Sequence, residues 1–258
     1  MQERAFCARK VQYESQSVRF AKVTNRFTDS HRNTNRKEAE VNQKRDRYDV
    51  SGLPEAQFEP GSRGLVLKNL LGVTQKKKMD ALEGTAQAQA MERLFGRFDA
   101  DHRFSSANIR EIHKTWLGHI YPWAGDYRQL NVSKGDFPFA AAAQIPRLME
   151  EFENGPLRKF TPCRFESVSQ VAKALALVHA ELVLIHPFRD GNGRAARMLA
   201  VLMAAQAGLP PLNFGRIHGR LLESYFAAVR AGLARDYQPM VELFELVLAG
   251  TTRRVGKK

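Results

Sequence analysis

From about Leu65 the chain reads as helices with one strand pair, by apolar side chains that return at helical spacing. Ser105 or Ser106 can cap a helix whose apolar side is Ile109, Ile112, Trp116, Leu117 and Ile120. A second helix is predicted over 140–152, with Ile145, Leu148, Met149 and Phe152 on one side. A third starts near Ser167 and runs to Leu184 through Val171, Ala174, Leu175, Val178 and Leu182. The next begins at about Gly193 and ends at Gly208, with Pro210 just beyond as stop punctuation. Leu221, Leu222, Tyr225, Phe226 and Val229 mark a fifth. Pro239 opens the last, which buries Val241, Phe244 and Val247 and is expected to stop at Gly250.

The stretch from Arg128 to Phe139 breaks this rhythm. Leu130 and Val132 alternate with polar neighbours, Ser133-Lys134-Gly135-Asp136 supplies a turn, and Phe137 and Phe139 alternate again. A short hairpin follows, which must lie against helices to be stable and whose outer edge is free to pair with another extended chain. The fold class is therefore mainly α with one small hairpin.

Upstream the pattern fades. Residues 1–60 read as a basic, weakly structured N-terminal segment, either a solvated tail or a nucleic-acid or partner-binding arm, with a linker-like stretch around Pro54, Pro60 and Gly61. Residues 61–250 form the helical core and 251–258 a basic tail. The chain of 258 residues carries 40 Lys plus Arg against 27 Asp plus Glu, a net charge of +13, which points to a polyanion: nucleic acid, nucleotide phosphates or an acidic partner protein. No helix-turn-helix or RNA-binding signature accompanies that charge, so nucleic acid is not required. Two cysteines, Cys7 and Cys163, make neither a disulfide framework nor a zinc site, and the N-terminus lacks an apolar leader. A reducing, cytoplasmic setting is expected. The most apolar stretch, Val171 to Ile185, contains Lys173, His179 and Glu181, so no membrane span is expected.

Chemistry concentrates in His186-Pro187-Phe188-Arg189-Asp190-Gly191-Asn192-Gly193-Arg194-Ala195-Ala196-Arg197, between two predicted helices. A Gly-rich turn entering a helix aims backbone N–H groups at an anion, at the positive end of the helix dipole. Gly191 and Gly193 allow a tight backbone and close approach of a phosphate. Arg194 and Arg197, three apart, can converge on phosphate oxygens. Asp190 suits Mg²⁺, which favours one or two carboxylates plus phosphate oxygens. His186 stands at the mouth of the same loop as a general base, and Phe188 is expected to plug the loop into the core.

Taken together, these residues match the signature H-x-F-x-[DE]-G-N-G-R-x-x-R of the Fic (Fido-domain) family. Tyr121-Pro122-Trp123-Ala124-Gly125-Asp126-Tyr127-Arg128 resembles that family's approach to its β-hairpin flap. Asn131, Val132, Ser133, Lys134, Gly135, Asp136 and Phe137 resemble the flap itself, which in the family clamps a target segment over the active site. The likeness runs from about Leu65 to Gly250, with the Fido domain at about 104–249, and implies a helical core with a hairpin flap. It also implies transfer of AMP from ATP to a Tyr, Thr or Ser hydroxyl of a target protein, with release of pyrophosphate. On that likeness His186 deprotonates the hydroxyl and Asp190 holds Mg²⁺. Asn192 with the Gly191 and Gly193 backbone cradles the α- and β-phosphates, and Arg194 and Arg197 bind the β/γ end. Gly193 favours nucleotidyl over phosphoryl transfer. Phosphocholine or UMP transfer, or a basic nucleic-acid-binding module with a vestigial loop, remain the alternatives.

Such enzymes are commonly inhibited by a helix of pattern [ST]-x-x-x-E-[GN], whose Glu pairs with the second motif arginine, here Arg197. Glu83-Gly84 and Glu153-Asn154 fit in part, each with Met four residues upstream of the Glu. Glu153 falls in the helix after the flap, the wrong place. Glu83 is the better candidate, although a solvated helix residue is the expectation there. Val66 to Val73 resembles the start of the Fic toxins paired with a separate small antitoxin, so an acidic antitoxin acting in trans is expected. His113, His179, Tyr225 and Phe226 read as core residues.

Overall fold

The computed structural model describes residues 52–255, with side chains to Gly250; the expectations for residues 1–51 and 256–258 lie outside the described residues. Helix α1 spans Lys76–Arg97, α2 Ser106–Leu117, α3 Ile145–Phe152, α4 Val168–Ile185, α5 Asn192–Gln206, α6 Arg220–Ala231 and α7 Gln238–Val255. The middle of the fold is α4, flanked by α5 and α7, with α6 against α7 and α1 against α2. Helix α4 is apolar nearly all round, as a helix enclosed on several sides must be. By length and composition it could also cross a membrane, but most of its surface is already buried within this fold.

Two helix starts follow directly from capping chemistry. The Ser105 hydroxyl accepts the Asn108 N–H while the Asn108 side chain accepts the Ser105 N–H, a reciprocal box. Ser167 and Gln170 repeat the arrangement at α4. Each such cap stabilises its helix by about 1 kcal/mol. Glu153, set aside above as an inhibitor, accepts the Ser106 N–H at 2.8 Å and its hydroxyl at 2.6 Å, adding a carboxylate to the positive end of α2.

Several boundaries differ from the sequence expectation. The helix predicted over 140–152 starts as a 3-10 turn, Ala142–Gln144, and continues past Phe152 through a wide turn, Glu153–Leu157, to Phe160. Pro156 removes one backbone donor inside that turn, which fits its widening. Helix α7 runs through Gly250 to Val255, because a glycine ends a helix only where it leaves helical dihedrals. The hairpin pairs Ser133 with Pro138 and Lys134 with Phe137, so its turn is only Gly135-Asp136, with Gly135 at φ +60°. The stretch around Pro54, Pro60 and Gly61, a linker by its composition, is folded onto the core. Lys68 N–H donates to Gln57 O, Glu59 N–H donates to Val66 O, and the Asn69 side chain bonds the backbone of Leu67, Leu71 and Val73. Burial of Val66 and Val73 drives this, two apolar residues too isolated to show a period.

Candidate active site

Helix α4 ends at His186, whose φ of 53° and ψ of 57° place it in the left-handed region, an uncommon state for a non-glycine residue. The bend turns the chain from α4 into the loop and fixes the ring. Nδ1 lies 2.9 Å from the Val183 carbonyl, which can only accept, so Nδ1 carries the proton and Nε2 keeps its lone pair. Phe139, at the base of the hairpin, stacks on the imidazole at 3.6 Å between centroids and 17° between planes. Burial depresses the imidazole to about 3, with Arg128 pushing the same way, so His186 is neutral at ordinary pH. A neutral imidazole with one bare nitrogen is a proton acceptor.

The loop that follows is closed from inside. The Asn192 carbonyl oxygen accepts the Phe188 N–H and its amide donates to Phe188 O, both at 2.8 Å. These two bonds use one amide hydrogen and one lone pair of the Asn192 side chain and lock the loop on itself. Phe188 is 1% exposed and stacks on His113 at 3.9 Å. His113 accepts the Gly125 N–H at Nδ1 and donates from Nε2 to Asp190 O, joining the 121–128 segment to the loop. It is a satisfied buried histidine, and what satisfies it is the loop itself. Gly191 caps α5 at φ +80°, and a Cβ there would sit 2.8 Å from the Trp116 ring. Only glycine fits.

Beyond Gly191 the backbone N–H groups of Asn192, Gly193 and Arg194 occupy the first turn of α5, where the helix itself does not use them. The Asp190 side chain is 51% exposed, accepts the Gly191 N–H at 2.6 Å and lies 3.7 Å from Arg194 Nη2. Desolvation raises its carboxyl, but Arg194, Lys76 and the Gly191 amide outweigh that and hold it below the usual range. It is an anion at the loop's rim. Among the described residues no three His, Cys, Asp or Glu side chains gather as a metal cage. One carboxylate beside a phosphate cradle fits Mg²⁺ completed by substrate oxygens and water.

The two motif arginines are both buried, at 7% and 4% exposure. Arg197 lies beside Gly193, its Nη1 3.6 Å from where a Cβ would stand there, and burial lowers it to about 10, leaving it charged. Arg194 stacks its guanidinium on Trp116 at 4.5 Å and donates to Glu83 Oε2 at 2.5 Å. Glu83 is thus not a solvated helix residue. It is 2% exposed on the inner side of α1; its other oxygen accepts the Tyr121 hydroxyl at 2.6 Å, and its backbone carbonyl accepts Trp116 Nε1 at 2.9 Å. The family pattern assigned its partner as Arg197, whereas here the partner is Arg194.

The hairpin lies over the same site. Its base is tied by Asn131, which accepts the Ala142 N–H, and by Val132 O, which accepts the Phe139 N–H. Its tip rests on α6: Lys134 Nζ sits 4.0 Å from the Phe226 ring centre, Asp136 pairs with Arg230 at 2.8 Å, and Arg230 lies over Phe137. Ser133 and Gly135 complete the strand and turn. Sequence reasoning passed over Arg128, which is 1% exposed and carries the hairpin's geometry. Its side chain donates to His186 O at 2.7 Å and to Leu130 O and Ala140 O, both at 2.5 Å, while its backbone N–H donates to Pro187 O. The only signal was its place at the end of the Tyr121–Arg128 motif. His179 bonds Tyr225 in the core at 3.0 Å, as expected.

Residues 103–204 match the family model described as Fic/DOC family. Among curated proteins, the chain is 29% identical over 167 residues to protein adenylyltransferase VbhT of Bartonella schoenbuchensis, covering 63% of this chain and 33% of that protein. It is 38% identical over 106 residues to protein adenylyltransferase Fic of Nematostella vectensis, covering 41% of this chain and 24% of that protein. The matched region thus spans a quarter to a third of these relatives' length. Among solved structures, BepC of Bartonella tribocorum with bound AMPPNP superposes with a TM-score of 0.60 at 23% identity, covering 76% of this chain and 97% of that one. The N-terminal Fic domain of a cell filamentation protein from Bartonella quintana, with bound ADP, gives 0.58 at 26% identity, covering 74% and 92%.

Proposed function

We propose that this chain, whose residues 103–204 match the Fic/DOC family model, is a protein adenylyltransferase, moving AMP from ATP to a hydroxyl side chain of a target protein. The observation that carries the proposal is the pairing of His186 Nε2, bare and neutral, with a helix N-terminus and two buried arginines at the end of the same loop. In the reaction the target oxygen attacks the α-phosphorus while its proton passes to Nε2. The bond from that phosphorus to the bridging oxygen breaks, and pyrophosphate leaves with the electron pair. The first-turn N–H groups of α5 and the guanidinium groups of Arg194 and Arg197 stabilise the charge that grows on the phosphate oxygens. Mg²⁺, held by Asp190, supplies neutralising charge when bound. The hairpin, hung from Arg128 beside His186, holds the target segment by strand pairing at its edge. The ADP bound to the similar Fic domain from Bartonella quintana supports an adenine nucleotide here.

Regulation is read from Glu83. Its carboxylate takes the guanidinium that the outer phosphates need, so Glu83 acts as a built-in inhibitor. An antitoxin supplying this glutamate in trans is the competing reading, and Glu83 in its buried pair favours the internal one.

The test uses ATP labelled at the α- or the γ-phosphate, with Mg²⁺ and a protein lysate, for the wild type and His186→Ala. Label on protein from the α position only, lost in the variant, supports adenylyl transfer. Label from the γ position indicates phosphoryl transfer. No label, with choline or uridine donors active instead, moves the assignment to another donor.

A further inference from the structure

Glu55 belongs to none of the groups used above and lies upstream of the matched domain. It sits in a 3-10 turn, Pro54–Ala56, and is 6% exposed. Its side chain accepts the Gln129 N–H at 2.6 Å, and the Leu130 backbone also bonds the carboxylate. Its own carbonyl accepts Arg189 Nε at 2.8 Å. Arg128 and Arg189 supply positive charge around it. Gln129 and Leu130 form the limb by which the hairpin leaves Arg128, and Arg189 is the loop residue just before Asp190. One residue therefore holds the entry to the hairpin with its side chain and the phosphate loop with its backbone.

A buried carboxylate is expensive unless hydrogen bonds and opposite charge compensate it. Within residues 52–73 the segment is held by buried Val66 and Val73, the Asn69 side chain and the Glu59–Val66 and Lys68–Gln57 backbone bonds, none of which uses the Glu55 carboxylate. The carboxylate faces the hairpin root instead. We propose that Glu55 is a positioning residue, clamping hairpin and phosphate loop in one fixed relation so that a docked hydroxyl meets His186. The activity arm of this inference rests on the adenylyl-transfer reading.

The test compares Glu55→Ala and Glu55→Gln in the full chain, with Arg189→Ala severing the link from the loop side. Two readouts are followed: steady-state transfer to a protein target, and hydrogen exchange at residues 129–131 and 189–191. Glu55→Ala is expected to raise KM for the target or lower kcat at least about 10-fold. ATP affinity is expected to stay within about twofold, since no phosphate-facing group is touched. Exchange should quicken at both 129–131 and 189–191. Glu55→Gln, which keeps an acceptor for Gln129, should recover most of the loss, and Arg189→Ala should reproduce the exchange pattern at the loop. The inference is overturned if faster exchange stays upstream of residue 74, or if transfer and ATP affinity fall together in proportion to lost stability. If the wild type transfers no AMP, the functional reading fails, while exchange at the hairpin root and loop still decides the clamp.

Discussion

Replacing Glu83 with Gln separates a competitor for phosphate from a support for Arg194. The carboxylate accepts from Arg194 at 2.5 Å and from Tyr121 at 2.6 Å, at 2% exposure. A charge-assisted hydrogen bond of this kind contributes about 1.5–3 kcal/mol. On the proposed function ATP has to displace it to reach Arg194, so its removal is expected to bring a gain of about 10- to 100-fold in productive nucleotide binding. The apo protein moves the other way. Removing one partner of a buried ion pair costs about 3–5 kcal/mol, because the other charge stays behind. Asp190 at 3.7 Å and the Trp116 face compensate Arg194 only in part. The expected signature is a lower melting temperature without nucleotide, larger stabilisation by ATP, and faster transfer in an α-labelled ATP assay. Lower transfer with weaker ATP binding would refute the reasoning and make Glu83 a strut for Arg194. Unchanged transfer would leave inhibition to a separate protein.

Gly191→Ala places a methyl 2.8 Å from Trp116 at a φ of +80° and should abolish transfer with a loss of stability of at least about 1–2 kcal/mol, read by denaturant titration. Asn192→Ala removes two hydrogen bonds that close the loop and is expected to lower kcat about 10-fold or more, with ATP affinity reduced only as far as the loop loosens. His113 and His179 are held at about 4 and about 3 by burial, below their unfolded value near 6.5. Their contribution to stability is complete above about pH 6.5 and is lost as pH falls toward those folded values. Each adds a slope of up to about 1.4 kcal/mol per pH unit, measurable as a falling urea midpoint between pH 6.5 and 4.5. For the same reason kcat/KM should show no acid limb from His186 between pH 5 and 8, and a limb near 6.5 would contradict a neutral, buried base.

The junction between α4 and α5 was legible because its residues are contiguous: His186 to Arg197 specify a bend with two glycines and the start of a helix. Helices α2 and α4 to α7 were legible from their apolar period and, at α2 and α4, from Ser caps. Helix α1 was not delimited, because its buried side mixes Met79, Glu83, Gly84, Ala86, Gln87 and Ala90 and carries little apolar contrast. The same helix hid Glu83, since a charge on a weakly amphipathic helix reads as solvated unless its distant partners, Tyr121 and Arg194, are known. The loop-closing bonds of Asn192 were not readable either. A polar residue beside two glycines suggests ligand contact, but whether its amide turns outward or closes the loop depends on a backbone four residues away. Glu55 and Arg128 were unreadable for a similar reason, as their partners lie 74 and 58 residues distant.

If His186 takes the proton while the rest of the loop holds the nucleotide, a paired measurement on His186→Ala separates the two roles: calorimetric affinity for ATP with Mg²⁺, and transfer of α-labelled AMP, both in the Glu83→Gln background. ATP affinity is expected to stay within about threefold of the parent, since the imidazole lies apart from Arg194 and Arg197, with transfer lower by at least about 10²-fold. Retained transfer, or affinity lost along with it, would contradict the assignment of His186 as the base.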